Sequence, residues 1–448
     1  MSTCLTRVIN QVFCTGTIPS QWESSALIPI PKKGDLSDPN NYRGISLMPT
    51  SLKVLTIIIS DRLNTYAERN NLFSDAQAGF RRREECVTQA ACLIEMLQRR
   101  KLNSETTFVT FIDFKKAYDL VPHGALFAKL EQFGVRGRCL QFLQGLYASS
   151  TVEIRLGVGS MAIYSDPCQL LRGLRQGCPS SPVLFNIFIN DLFEIGEEIP
   201  IGVTIPSGRP AKDPQDIQSA GLLFADDCAT LSPNIEAVMV SCALVGQWAN
   251  INKMKVGIKK CDKLRPFLEI QQDLVPIVDK YVYLGLNLTS SLTVADFASS
   301  RVDIGRKRVH ALLPFLTSPV LPLAMRLRIV QAVVMPTLLF GAEVYGMNRR
   351  ITDSMQLLAN KCYRAILGIR VKSCTPVPLV PLWNECCQKP ICASAAGYQA
   401  RAHSKGRTLS TQLQWLVMQP LIVRHWTWSS GVLKWFNRYC LSHVIKAG

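Results

Sequence analysis

The chain has 448 residues, 48% hydrophobic and 19% charged. That balance excludes a largely disordered protein, and the length accommodates two to four domains with cores of their own. Fifty Lys and Arg stand against 33 Asp and Glu, a net charge of +17, which favours polyanionic partners, an ordinary basic protein being the plain alternative.

In chain order, PIPKKGDLSDPNNYRGISLMPT is rich in Pro, Gly and Asx residues and predicts extended loop or edge strand. SLKVLTIIISDRLNTYAERNNL has helical periodicity, as does ECVTQAACLIEMLQRRK, with Val87, Ala91, Ile94 and Leu97 on one face. TTFVTFIDF is β-branched and aromatic, a strand ending at Asp113. HGALFAKLEQFG predicts a helix with Leu126 and Leu130 one turn apart, stopped by Gly134. STVEIRLGVG alternates Val152, Ile154 and Leu156 with Glu153 and Arg155, a half-buried strand. In SSPVLFNIFINDLF, Ser181 and Pro182 stand at the expected N-cap and first turn of a helix.

The Pro/Gly-rich stretch Ile199 to Asp216 predicts a loop or flap-like hairpin. AGLLFADDCATL then reads as strand, tight acidic turn and strand. SPNIEAVMVSCALVGQWAN is a helix with Val238, Cys242, Val245 and Trp248 inward, and YVYLGLNL is a short strand. From about residue 290 the pattern is helical with interleaved basic residues, Arg301, Arg306, Lys307, Arg308, Arg326 and Arg328 among them. No internal repeat is evident, and residues 371–448 hold no usable motif. The β–α–β–α–β–β order in the middle fits an α+β unit with an antiparallel sheet.

Sixteen cysteines lack regular spacing, and Cys92, Cys139, Cys242 and Cys362 fall in apolar helix-like runs. Met1 to Ser20 lacks the basic start and apolar run of a signal peptide. Both point to buried free thiols in a reducing, intracellular compartment, with nucleus and cytoplasm both open. Cys374, Cys386, Cys387, Cys392 and His403 do not have zinc-site spacing. The longest apolar stretches are too short or too interrupted to span a bilayer.

Asp113, and the pair Asp226 and Asp227, each end an apolar strand-like run, where a buried carboxylate is costly without a partner. Three such groups brought together need cations. Mg²⁺ takes hard oxygen ligands, typically one or two carboxylates plus substrate phosphates, so the three acids predict metal-assisted phosphoryl chemistry.

PKKG…YRGISL, QAGFRRREECVTQ, FIDFKKAYDLV, GLRQGCPSSPVLFNIFINDL, LLFADD, WANINKMKVGIKK and YVYLGL follow in one order. This resembles the seven-block core of reverse transcriptases, most closely those of non-LTR retrotransposons, over roughly residues 15 to 290. The resemblance implies an α+β right-hand polymerase: fingers at 1–105, a palm with an antiparallel sheet at 106–289, a helical thumb at 290–370 and a helical extension at 371–448. It implies an RNA-directed DNA polymerase that extends a primer 3′-hydroxyl with dNTPs, using two Mg²⁺ ions (Mn²⁺ can substitute). Its partners would be an RNA template, a DNA primer and dNTPs, with no membrane.

On the same resemblance, Asp113, Asp226 and Asp227 are the catalytic, metal-binding acids. Arg43, Tyr118, Gln176, Gly177 and Lys260 are nucleotide-binding, and Tyr283, Leu284 and Gly285 form the primer grip. Asp119 is structural. Taken alone, several have plain readings: Tyr118 as a core aromatic, Gln176 and Gly177 as a turn before a helix, Tyr283 to Gly285 as a structural hairpin, and Lys32 and Lys33 as a solvated loop. The chain departs from the family pattern at Gly44, where many members have proline, and at Gly257, where Asn is usual. No endonuclease domain or zinc knuckle is visible, and the opening segment is expected to lie inside a longer ancestral polyprotein. A catalytically inactive RNA-binding scaffold of the same shape is the rival expectation.

Overall fold

The structure is a computed structural model that describes residues 2–32, 34–157, 159–194, 201–205, 217–257, 268–345 and 349–368. Lys33, Lys260, the cysteines from Cys374 onward and the extension at 371–448 lie outside the described residues. The chain divides into two compact units. The first comprises Met1–Glu84, Phe108–Gly202 and Ala220–Pro276, and the second Glu85–Thr107, Val203–Ser219 and Ile277–Gly448.

The first unit is built on two sheets. One is antiparallel, in the order Val256–Gly257, Phe108–Phe114, Asp227–Ser232, Gly221–Phe224. Along Phe108–Phe114 the side chains alternate, so Thr110, Ile112 and Phe114 face inward and Asp113 outward. The helix Ile235–Ile251 packs on the inner face. Asn234 caps it, accepting the Ala237 N–H at 2.8 Å. Its buried residues include Val238, Cys242, Val245 and Trp248, the stripe expected from the periodicity. Trp248 joins the layers: its ring lies 5.6 Å from that of Phe114 and 5.8 Å from that of Phe188, and its indole N–H donates to Asp191 at 2.9 Å.

Phe188 belongs to the helix Ser181–Ile189, which is buried on nearly every side. Ser181 is not the cap, as expected, but the first helical residue. Ser180 precedes the helix, and the Ser181 hydroxyl instead donates to the Arg175 carbonyl at 2.8 Å. The difference arises because Arg175, only 2% exposed, turns inward and donates to the carbonyls of Trp22 (3.2 Å) and Glu23 (3.0 Å) and to the Ser150 hydroxyl. Those bonds tie the turn before the helix to residues 22–23 and to Ser150.

The second sheet runs Tyr42–Leu47, Ser24–Pro31, Thr151–Leu156, Ile163–Tyr164, with Cys168–Gln169 also paired to Thr151–Leu156. The proline-rich segment is therefore a strand pair with Tyr42–Leu47 at the edge. Pro29 and Pro31 lie beyond Leu27, where the parallel ladder ends, so their missing N–H groups leave no gap in it. The half-buried alternation expected for Thr151–Leu156 is not found: Ile154 and Leu156 are exposed. The period of two identifies a strand, but which face is covered depends on what packs there.

In the second unit the helix Cys86–Leu102 is buried from Val87 to Arg100, not on one stripe as expected. Its charged groups tolerate this because each is bonded. Glu95 pairs with Arg99 at 2.7 Å, and Arg100 donates to the Thr107 hydroxyl at 2.7 Å and the Thr204 carbonyl at 2.6 Å. Val203–Ile205, inside the stretch expected to be a loop or flap-like hairpin, pairs antiparallel with Ile217–Ser219, just beyond it. The single strand expected at YVYLGLNL is instead a hairpin, Lys280–Tyr283 with Leu286–Thr289. Its turn residues Leu284 and Gly285 have φ of 45° and 82°. A two-residue connection with both φ positive matches strand twist, which period alone does not reveal. The helices Val294–Leu316, Leu323–Ile329 and Arg349–Leu367 follow.

Among the described residues the cysteines are free thiols; Cys92, Cys242 and Cys362 are buried and Cys139 half-buried. No described helix is long and apolar enough to cross a membrane.

Candidate active site

The hairpin Gly221–Phe224 and Asp227–Ser232 is closed by Ala225 and Asp226. Only the first of these has positive φ, Ala225 at 58°, the pattern of a hairpin turn that glycine fills most easily. The second strand pairs with Phe108–Phe114 in the register Cys228 to Ile112. One step further along that register brings Asp227 beside Asp113, with Asp226 in the adjoining turn. On its other edge Asp113 pairs with Gly257. A Cβ at 257 would lie 3.1 Å from the Asp113 carbonyl and 3.5 Å from its Oδ2, so glycine here leaves the carboxylate room.

Asp226 is half-buried. Burial pushes its carboxyl above the usual range, and the charge of Asp113 pushes the same way. Its own backbone N–H and the Arg43 guanidinium pull it down. Tyr118 stacks on Phe185, with ring centroids 4.7 Å apart and planes 14° apart. Burial pushes its phenol up, and the Asp226 charge adds to this. Its hydroxyl is buried with no hydrogen-bond partner among the described residues. Four predicted residues, Arg43, Asp113, Tyr118 and Asp226, thus share one electrostatic neighbourhood.

The RQG turn is fastened beside them. The Gln176 carbonyl accepts the Ser46 N–H at 2.7 Å, and its carboxamide donates to Asp119 at 2.7 Å. Asp119 is therefore a structural partner, as expected. Gly177 has φ of 105°, and a Cβ there would lie 3.1 Å from the Ser46 carbonyl. Leu174 N–H donates to the Tyr118 carbonyl at 2.8 Å, which ties the turn to the segment after Asp113.

Asp227 is exposed. Among the described residues no group of three or more His, Cys, Asp and Glu side chains is arranged to hold a metal ion. Asp113 and Asp226 form a pair of hard oxygen donors in which one desolvated carboxyl feels the other's charge. Such a pair suits a divalent cation, since Mg²⁺ takes one or two protein carboxylates and fills its remaining positions with water or phosphate.

One prediction follows from the sign of the Asp226 shift. Its folded-state pKa lies above the unfolded value, so the folded chain holds this proton longer. Stability from this group is present at low pH and is lost as pH rises through the raised value. In metal-free buffer, Asp226→Asn should melt progressively higher than wild type as pH is raised above about 4. Mg²⁺ should narrow the gap. A difference in melting temperature that does not change with pH would contradict the cause assigned here.

In the second unit Tyr283 is buried at the start of the Leu284–Gly285 turn. The Gly285 carbonyl accepts from Arg301, whose guanidinium lies 4.3 Å over the Phe340 ring. Arg326 donates to the Ile366 carbonyl at 3.1 Å. Two of the six basic residues singled out in the helical region thus bond to backbone carbonyls, while Arg306, which pairs with Asp303 at 2.7 Å, and Lys307, Arg308 and Arg328 are exposed.

Two buried residues went unassigned in the sequence. Arg175, in the RQG block, is described above. Gln77, in QAGFRRREECVTQ, bonds to the backbone of Ala225 beside Asp226. The only signal was their place inside matching blocks.

The family described as reverse transcriptase (RNA-dependent DNA polymerase) matches residues 30–288. The chain is 27% identical over 371 residues to a retrovirus-related Pol polyprotein from a type-1 retrotransposable element R2 of Popillia japonica, covering 78% of this chain and 48% of the relative. It is 24% identical over 385 residues to the RNA-directed DNA polymerase from mobile element jockey of Drosophila melanogaster, covering 81% of this chain and 40% of that one. The chain thus spans about half or less of the length of these curated relatives. An apo telomerase structure from Candida tropicalis aligns with 99% of this chain and 73% of its own, at 10% identity and a TM-score of 0.44, a likeness too slight to carry an argument.

Proposed function

This chain belongs to the reverse transcriptase (RNA-dependent DNA polymerase) family, and from that membership we propose that it extends a DNA primer with dNTPs along an RNA template. The observation that carries the reading is the meeting of Asp113 and Asp226 on adjoining antiparallel segments, with Arg43 and Tyr118 in electrostatic reach of Asp226. Residues 1–105 would act as fingers, 106–289 as palm and 290–370 as thumb, with an unassigned extension after them. This division rests on the family resemblance and differs from that of the two compact units, the second of which joins residues 85–107 and 203–219 to residues 277–448.

Asp113 and Asp226 would hold Mg²⁺, with Asp227 as a further acid at the hairpin's exposed end. Bound divalent ions in such a site neutralise phosphate oxygens and lower the pKa of a hydroxyl nucleophile. The remaining work falls to the chain. Arg43, exposed on the edge strand, suits bidentate contact with triphosphate oxygens. Gly177 lets the backbone approach the nucleotide, and Gln176 holds that turn to Asp119. The Tyr118 ring, fixed by its stack on Phe185, would fill the space a 2′-hydroxyl needs. Lys260 would assist the leaving pyrophosphate, and Tyr283, Leu284 and Gly285 would seat the primer end. Exposed Lys307, Arg308 and Arg328 suit duplex phosphates, contacts that position without reading sequence.

The test is Mg²⁺-dependent extension of a DNA primer on an RNA template by the purified chain. Binding of the RNA–DNA duplex without extension would favour the scaffold reading instead. Tyr118→Ala should lower the preference for dNTP over rNTP by roughly 10–100-fold, read from kcat/KM for each. An unchanged preference would remove Tyr118 from the sugar pocket.

A further inference from the structure

We infer that Gln77 is a positioning residue for Asp226: its carboxamide holds Ala225 in the left-handed backbone conformation from which the Asp226 carboxylate is presented. Ala225 is an L residue with a Cβ at φ of 58°, a region such residues rarely adopt. It occupies the first turn position of the hairpin, where glycine is the usual choice. Something outside the hairpin therefore has to impose that conformation.

Gln77 is fully buried, and its side chain grips Ala225 from both sides. Oε1 accepts the Ala225 N–H at 3.0 Å and the Gly79 N–H at 2.7 Å, while Nε2 donates to the Ala225 carbonyl at 3.4 Å. The backbone around Gln77 runs parallel to the strand leading into the turn. Leu223 N–H donates to the Ala76 carbonyl at 2.8 Å, and Ala78 N–H to the Leu223 carbonyl at 2.9 Å. Gly79 completes the fit, because a Cβ there would lie 2.1 Å from the Ala225 nitrogen.

The clamp is itself anchored. Asn186, fully buried, donates to the Gly79 carbonyl at 2.7 Å. Arg81 donates to the carbonyls of Gln77 and Ser74, each at 3.1 Å, and pairs with Glu68 at 2.8 Å. Rotation of Ala225 to negative φ would swing the Cα–Cβ bond of the next residue, which is Asp226. The clamp thus links the QAGFR segment to the metal-binding acid without touching substrate. Groups that orient a metal ligand in this way typically change metal affinity or activity by 10–100-fold when lost.

The activity arm of the test rests on the polymerase reading, whereas the exchange and metal-binding arms do not. In the full chain, Gln77→Met keeps the side-chain volume and removes all three hydrogen bonds of the carboxamide, two of them to Ala225. It should speed hydrogen exchange of the Ala225 amide at least about 10-fold and weaken Mn²⁺ binding by about 10–100-fold. In primer extension it should lower kcat and raise the Mg²⁺ half-saturation by a similar factor, with the dNTP KM within about twofold. Adding Ala225→Gly should recover part of both losses, since glycine adopts positive φ without the clamp.

Unchanged amide exchange and unchanged Mn²⁺ affinity in Gln77→Met would overturn the inference, as would a double variant no better than the single one. Should Gln77→Met fail to fold, the wild-type Ala225 amide still decides: slow exchange supports the clamp, and the rate of an open loop refutes it. Loss of Mn²⁺ affinity in Gln77→Met by a chain that extends no primer would uphold the clamp while the polymerase reading fails.

Discussion

Asp226→Asn is expected to lower Mg²⁺-dependent primer extension by at least about 10³-fold while duplex affinity stays within about threefold. Asn keeps the shape of the side chain and removes its charge. Asp226 sits in the turn between two strands, half-buried and close enough to Asp113 to feel its charge. With Asn at 226, Asp113 and the more exposed Asp227 are left to attract a cation, and the attraction that favours Mg²⁺ falls. The turn backbone, held from Gln77, should persist. Extension by the variant at a tenth or more of the wild-type rate would remove Asp226 from the chemistry. A parallel loss of duplex binding would point to a structural role instead.

Trp248→Ala is expected to destabilise the chain by about 3–5 kcal/mol, the range for deleting a fully buried large aromatic. Trp248 is 0% exposed and packs between Phe114, beside Asp113, and Phe188. It also carries the Lys129 ammonium 4.7 Å over its ring and donates to Asp191. Its removal opens a cavity and leaves the Asp191–Lys129 pair without one of its donors. Urea denaturation followed by circular dichroism measures the loss, and a change under about 1 kcal/mol would show that the layer repacks around the gap. Because Phe114 follows Asp113 directly, the same variant should also reduce extension at temperatures where it remains folded.

Elements whose packing follows a simple period were legible. Val238, Cys242, Val245 and Trp248 recur at helical spacing, and all four are buried. TTFVTFIDF and the LLFADD hairpin were read as strands because β-branched and aromatic residues end at a turn. Legibility failed where the partner decided the outcome. Thr151–Leu156 alternates, yet Ile154 and Leu156 face outward. The helix Cys86–Leu102 looks one-sided, yet it is buried throughout because its Glu and Arg residues find partners. YVYLGLNL carries a left-handed Leu284 that no propensity announces, so periodicity alone reads one strand where there is a hairpin, the plain alternative for Tyr283 to Gly285.

By itself the sequence determined the family and the order of the blocks that carry the candidate groups, Asp113, Tyr118, Gln176, Asp226 and Asp227, in a strongly basic chain. That much is carried by residue type and spacing along one dimension. Only the tertiary structure decided that Arg43 from an edge strand acts on Asp226, that Gln176 is spent partly on Asp119, and that Arg175 and Arg301 serve the frame. It also brought a buried glutamine nearly 150 positions upstream, Gln77, to the turn that presents Asp226. The physical reason is common to all four: a long-range hydrogen bond or charge contact depends on where two backbones meet, and local pattern contains no record of that meeting.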